Sequence, residues 1–176
     1  MSSLVPVLAV ALAWVGAAMT VMAGGRRGRG LGLGLVGLGL GIAGLWEEEP
    51  ATAVALVTGG LVAGAFRARG GLVWGLVPAG ATPRVVLSVF SLVAAAFVGI
   101  HVMGGDGAPL RVAGLAAALI GGAMVLDANE NRSAATGISL VALGMGAVGG
   151  PDAAFLAGAV TIIVALLPDR VGDVAA

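Results

Sequence analysis

Few residues in this 176-residue chain have the chemistry for catalysis or ligand binding, and they stand apart. His101 is the lone histidine and there is no cysteine, so no zinc site can be assembled. A single imidazole near an interface either answers to pH or hydrogen-bonds to water and headgroups. The run EEEP at 47–50 can collect cations at the mouth of a path, or place negative charge at the start of the helix that Pro50 opens. DANENR, from Asp127 to Arg132, offers Asp127, Asn129 and Glu130 as loose cation ligands. It lacks the ligand count and glycine placement of a calcium loop and reads as a capped hairpin turn. GGRRGRG gathers Arg26, Arg27 and Arg29, which fit an orientation signal or anionic lipid headgroups, at about 1 kcal/mol per arginine. No nucleophile stands with a base at readable spacing. The expectation is therefore no enzyme, no catalytic residue, no cofactor and no metal.

The elements that carry these residues are apolar. Hydrophobic residues make up 59% of the chain and charged residues 10%, with a mean hydropathy of +1.09. An average soluble domain carries about 25% charge, and a chain of this size leaves about 30% of its surface exposed. The solvent is therefore mostly lipid. A span needs about 20 apolar residues, and runs of that kind lie at about 4–24, 30–46, 51–67, 84–103, 110–127, 133–149 and 152–168. The first is kept as a spanning helix and not a cleaved leader, because MSS has no basic residue. Pro50, Pro83, Pro109 and Pro151 mark helix starts, where a missing N–H costs nothing. The expected fold is all-α, a polytopic bundle of about seven transmembrane helices. GGLVWGLVPAGATP, from Gly70 to Pro83, is too short to cross and reads as an interfacial loop, or alternatively as a re-entrant segment.

Seven crossings put Arg26, Arg27, Arg29, Arg67, Arg69, Arg84, Arg132 and Arg170 on one side and Arg111 alone on the other. Positive residues stay cytoplasmic, so the N-terminus is expected outside and the C-terminus inside, in the cell (inner) membrane. A shift of 103 residues superposes Pro6 on Pro109, Arg29 on Arg132, Gly34 on Gly137, Gly41 on Gly144, Thr58 on Thr161 and Arg67 on Arg170. This suggests a parallel duplication within one membrane domain. A first three-helix unit spans 1–69, an interfacial loop and linker helix 70–107, and a second unit 108–176. On that reading Thr58 and Thr161 form a symmetry-related polar pair facing a shared centre. Other hydroxyls within the spans, at Thr20, Ser88, Ser91 and Ser139, can bond to backbone carbonyls or bridge helices.

RGLGLGLVGLGLGIAGLW, from 29 to 46, poses a different problem, because glycine weakens helices. A lone strand in lipid leaves its backbone unpaired at several kcal/mol per group, so the helix wins. At 100° per residue, Gly30, Gly34, Gly37, Gly41 and Gly44 make one seam and Gly32 and Gly39 lie opposite. Bare faces let helices approach to backbone contact. This predicts a central second helix touched on two sides, and the seam serves either internal packing or an oligomer.

The glycine run resembles the first helix of the rotor-ring c subunits of rotary ATP synthases. Those subunits carry a carboxylate in the middle of their second helix, which this chain lacks, so that assignment is rejected. The three-one-three order resembles the topology of the SWEET sugar transporters over the whole chain but without a sequence motif. Their proline hinges and binding-site Asn and Trp have no counterpart, since Pro6 and Pro109 stand at helix starts and no predicted span contains Asn. No family is assigned.

Two functions fit. One is a structural or accessory subunit of a larger membrane complex, whose partners are the bilayer and other transmembrane subunits or copies of itself, with no nucleic acid. The other is a small-solute transporter or channel with its path between the two units.

Overall fold

A computed structural model describes residues 4–69, 82–103, 107–126 and 131–167. Among these the chain is an all-α bundle of seven helices, with no strand. They are α1 (Leu4–Met22), α2 (Arg26–Trp46), α3 (Pro50–Ala68), α4 (Thr82–Phe97, continued by a π-helical turn at Val98–Val102), α5 (Ala108–Leu126), α6 (Asn131–Val148) and α7 (Pro151–Leu166). Five are long and apolar enough to cross a membrane, α4 with its π turn included, and α6 and α7 contribute shorter apolar helices. The loop expected at 70–83 falls almost wholly outside the described residues, as do Asp106, Asp127, Asn129, Glu130 and Arg170.

Local chemistry sets the helix boundaries. Proline occupies the first position of α3 and of α7, where its fixed φ suits a helix start. α2 begins at Arg26, before the expected start at about residue 30. Arg26, Arg27 and Arg29 are thus half-buried residues of its first turn and not of a connecting loop. The Arg29 backbone N–H closes on the Gly25 carbonyl at 3.2 Å, and its Nε donates to the Ala23 carbonyl beyond the end of α1. Arg29 thus ties the first turn of α2 to the end of α1.

Neighbouring helices run antiparallel and alternate helices run parallel. Thr20 near the end of α1 lies 3.8 Å from Met124 Sδ near the end of α5. Arg67 near the end of α3 donates to the Val164 carbonyl near the end of α7. α4 runs against α1: Trp14 Nε1 donates to the Ser88 carbonyl at 2.9 Å, and Arg84 Nη1 reaches the Val21 carbonyl.

α2 is wedged between α1 and α3 along two glycine seams. A methyl at Gly16 would lie 2.7 Å from the Gly32 carbonyl oxygen, and Gly39 abuts the Ala13 backbone. On the other face Gly30 meets the Gly64 carbonyl, Gly37 meets Gly60, Gly41 meets Val57 and Ala53, and Gly44 meets Ala53. A methyl at Gly34 has more room, meeting Leu61 Cδ2 at 3.6 Å. Contact at Cα distance maximises dispersion where lipid offers no hydrophobic drive. Leu33, Val36, Leu40 and Leu56 close the gaps on this side of the bundle, and Ile120, Leu140 and Leu143 on the other, all fully buried.

The α1–α2 contact recurs in α5–α6. Gly121 meets the Gly137 carbonyl, Leu140 Cβ and the Val141 nitrogen, as Gly16 meets the Gly32 carbonyl, Leu35 Cβ and the Val36 nitrogen. Ala118 meets Gly144 as Ala13 meets Gly39. From Gly16 to Gly121 and from Gly39 to Gly144 the shift is 105 residues. On the far side, Gly146 meets Ala157 and Ala153 as Gly41 meets Val57 and Ala53, so α3 maps onto α7 with a shift of 100. Four of the five residues of difference are absorbed by α6, 18 residues against the 21 of α2, and by a two-residue turn before α7 against three before α3. A uniform shift of 103 is therefore out of register on both sides. Gly34 and Gly41 face α3, whereas Gly137 and Gly144 face α5.

Candidate functional site

At one end of the bundle three chain segments meet around a cleft. α2 ends in a Schellman motif: the Glu49 N–H donates to the Gly44 carbonyl at 2.9 Å and the Glu48 N–H to the Leu45 carbonyl at 3.3 Å. This needs a left-handed residue after the cap, and Glu48 takes that place with φ of 61°. The turn delivers Glu47 and Glu49 in different directions. The Glu49 carboxylate accepts a hydrogen bond from Thr52 Oγ1 at 2.8 Å, in the first turn of α3. The Glu47 carboxylate crosses to α5 and accepts the Leu110 N–H at 2.9 Å.

The start of α5 is shaped to receive it. Gly107 has φ of 96°, open to glycine and strained for other residues, and a methyl there would lie 3.1 Å from the Glu47 carboxylate. One turn on, Arg111 Nη1 lies 3.4 Å from the Met103 carbonyl, and its charge acts on Glu47. Burial pushes the Glu47 carboxyl above its usual range. The Leu110 N–H pulls it down, Glu49 adds to the rise and Arg111 opposes it. A cavity of about 380 Å³ opens here, with Trp46 from the end of α2, Glu47 and Glu49 from the α2–α3 turn, Arg111 from α5, and Ala147 and Val148 from α6 in its lining. Carboxylates, a guanidinium, an indole and apolar carbon around one space suit it to binding a small polar group. Among the described residues, no group of three His, Asp or Glu side chains is placed to hold a metal ion.

Comparison with protein-family models, with curated proteins and with solved structures finds no match.

The residues singled out from the sequence fall as follows. Gly30, Gly37, Gly41 and Gly44 lie buried against α3, as does Gly34 at looser contact. Thr58 and Thr161 are not brought together. Thr58 is exposed on α3, whereas Thr161 is fully buried on α7 and donates to the Ala157 carbonyl at 2.7 Å. The shift of 100 pairs Thr58 with Gly158 and Thr161 with Leu61, which is why the matched threonines part. Arg29, Arg84 and Arg67 reach carbonyls at or just beyond the ends of α1 and α7, where a cation also favours the helix dipole. His101 is exposed in the π turn and stacks on Phe97, with ring centroids 5.1 Å apart. The sequence pattern alone left Glu47 and Arg111 unconnected. The signal that joins them was present: Arg111 stands apart from the other eight arginines, at the end where EEE emerges.

Proposed function

We infer that the protein is a small, non-enzymatic integral membrane subunit that serves as a structural or accessory element of a larger membrane complex. The observation that carries this is where the buried hydroxyls point. Thr20, Ser88, Ser139 and Thr161 donate to carbonyls three or four residues earlier in their own helices, at 2.7, 2.6, 3.0 and 2.7 Å. Polar groups along a solute path face an open cavity, whereas these turn back onto their own backbones, and Thr161 and Thr20 also reach the Ser139 carbonyl of α6 and Met124 Sδ of α5. The outward faces are apolar, with Val86, Phe90, Val93 and Phe97 on α4 and Leu156 and Ile163 on α7 exposed to lipid or to neighbouring helices. The arginine-rich end faces the cytoplasm on this reading, which places the N-terminus outside the inner membrane. The partners are the bilayer and transmembrane helices of other subunits or of further copies.

Native mass spectrometry after extraction in mild detergent tests the assignment. Co-purification at fixed stoichiometry supports it. Isolation as a lone monomer that moves a solute across liposomes rejects it.

A second reading has its own support. The repeated contacts of α1–α2 in α5–α6, with α3 beside α7, fit two parallel three-helix units around a common axis. That architecture suits a transporter or channel with its path between the units. It requires flux in liposomes from the purified protein alone.

A further inference from the structure

We propose that the cleft at the acidic end binds a phosphoammonium group, with the phosphate on Arg111 and the ammonium between Glu49 and Trp46. The lining selects this chemistry by charge. Glu47 and Arg111 stand side by side where α5 begins, 3.1 and 3.6 Å from the methyl position at Gly107, so a simple anion at Arg111 meets the Glu47 carboxylate and a simple cation at Glu47 meets the guanidinium. A compact group carrying both signs can set its anion at Arg111 and its cation at Glu49, on the α2–α3 turn. Arg111 lines the cavity with its Nη1 3.4 Å from the Met103 carbonyl, and a guanidinium fork suits phosphate oxygens. Trp46 also lines the cavity, and an indole is a group that attracts alkylammonium ions. Both carboxylates are held in position, Glu49 by Thr52 Oγ1 and Glu47 by the Leu110 N–H. The volume, about 380 Å³, is at the small end for ligand pockets, about 300–1,000 Å³. That favours a headgroup over a larger molecule. The cleft lies where α2 ends and where α3, α5 and α7 begin, which is headgroup depth in a spanning bundle. Two sources supply such a group, a phosphatidylethanolamine lipid and a free glycerophosphoethanolamine.

Native mass spectrometry of the full-length protein, loaded with equal phosphatidylethanolamine and phosphatidylglycerol, tests this. The expected result is one phosphatidylethanolamine retained under activation that strips phosphatidylglycerol. Arg111→Gln and Glu49→Gln should each lower that retention by about tenfold, the loss of one charge-assisted contact. Circular dichroism melting identifies any variant that fails to fold, and the other variant then gives the reading. Displacement of the lipid by soluble glycerophosphoethanolamine assigns the site to the free solute. Resistance to displacement assigns it to the lipid, and either keeps the chemistry. Equal retention of the two lipids by the wild type, or wild-type retention in the folded variants, overturns the proposal.

Discussion

The Glu47 carboxylate accepts the backbone N–H of Leu110 at 2.9 Å, so a turn in the first half of the chain caps a helix 63 residues later. The capping group is a side chain of the α2–α3 turn, which ties that hairpin to the start of α5. An orphan N–H is satisfied and a negative charge sits at the positive end of a helix dipole. Burial works against this contact, because the carboxyl is held above its usual range.

A carboxyl with a raised folded-state pKa binds more protons in the native state than in the unfolded one. Stability therefore falls as pH rises from the ordinary carboxylate range, about 4.3, through Glu47's raised value, and levels off above it. Glu47→Gln keeps an oxygen for the Leu110 N–H and removes the titration. Melting in detergent at stepped pH should show a shallower acid-side slope for the variant than for the wild type. Identical slopes would show that Glu47 does not titrate differently on folding.

Two glycines of the same seam should respond oppositely to alanine. At Gly34 the new methyl would meet Leu61 Cδ2 at an ordinary 3.6 Å, so better helix propensity dominates, with a gain of up to about 1 kcal/mol. At Gly37 it would lie 2.8 Å from Gly60 Cα and 2.9 Å from the Leu56 oxygen. The α2 and α3 backbones must then separate, at a cost of about 1–3 kcal/mol. Thermal unfolding of both variants checks the contrast, with Gly122→Ala, which meets open space, as a second stabilising control.

Glu48 occupies the left-handed position of the α2 cap, which a residue with a Cβ takes at a cost of about 1–2 kcal/mol. Glu48→Gly should raise the melting temperature by the equivalent of about 1 kcal/mol, less than the full strain because glycine gives up more freedom on folding. A lowered melting temperature would mean that the Glu48 side chain does more for the turn than its backbone costs.

Thr161→Val separates the two functional readings. The hydroxyl bonds to the Ala157 carbonyl of its own helix at 2.7 Å and only at 3.5 Å to the Ser139 carbonyl of α6, so its loss should cost less than about 1.5 kcal/mol. As a structural subunit the variant should assemble like the wild type. If wild-type protein carries a flux in liposomes and Thr161→Val abolishes it, the transport reading gains.

Much of the bundle was legible because its signals are local. Proline at the α3 and α7 starts, apolar length, and the 4-3-4-3 spacing of Gly30 to Gly44 each depend on a few residues and one helical period. The arrangement of α2 between α1 and α3 followed from Gly32 and Gly39 lying opposite that seam. What escaped was register between distant segments. A single shift cannot describe halves that differ by a shortened helix and a turn, so rare-residue matches such as Thr58 with Thr161 misled. The cleft escaped for the same reason. Glu47 meets Leu110 only once the loops have closed, and no spacing in the chain encodes that distance.

α2 is the least apolar of the five long helices and also the most enclosed, whereas α1 is the most apolar and far more open. Glycine explains both, since it withholds the side chains that would favour hydrocarbon and yields the room that neighbouring backbones fill. Of these five, α2 would gain least from entering a bilayer by itself. Its residence there depends on the hairpin partners delivered just before and just after it.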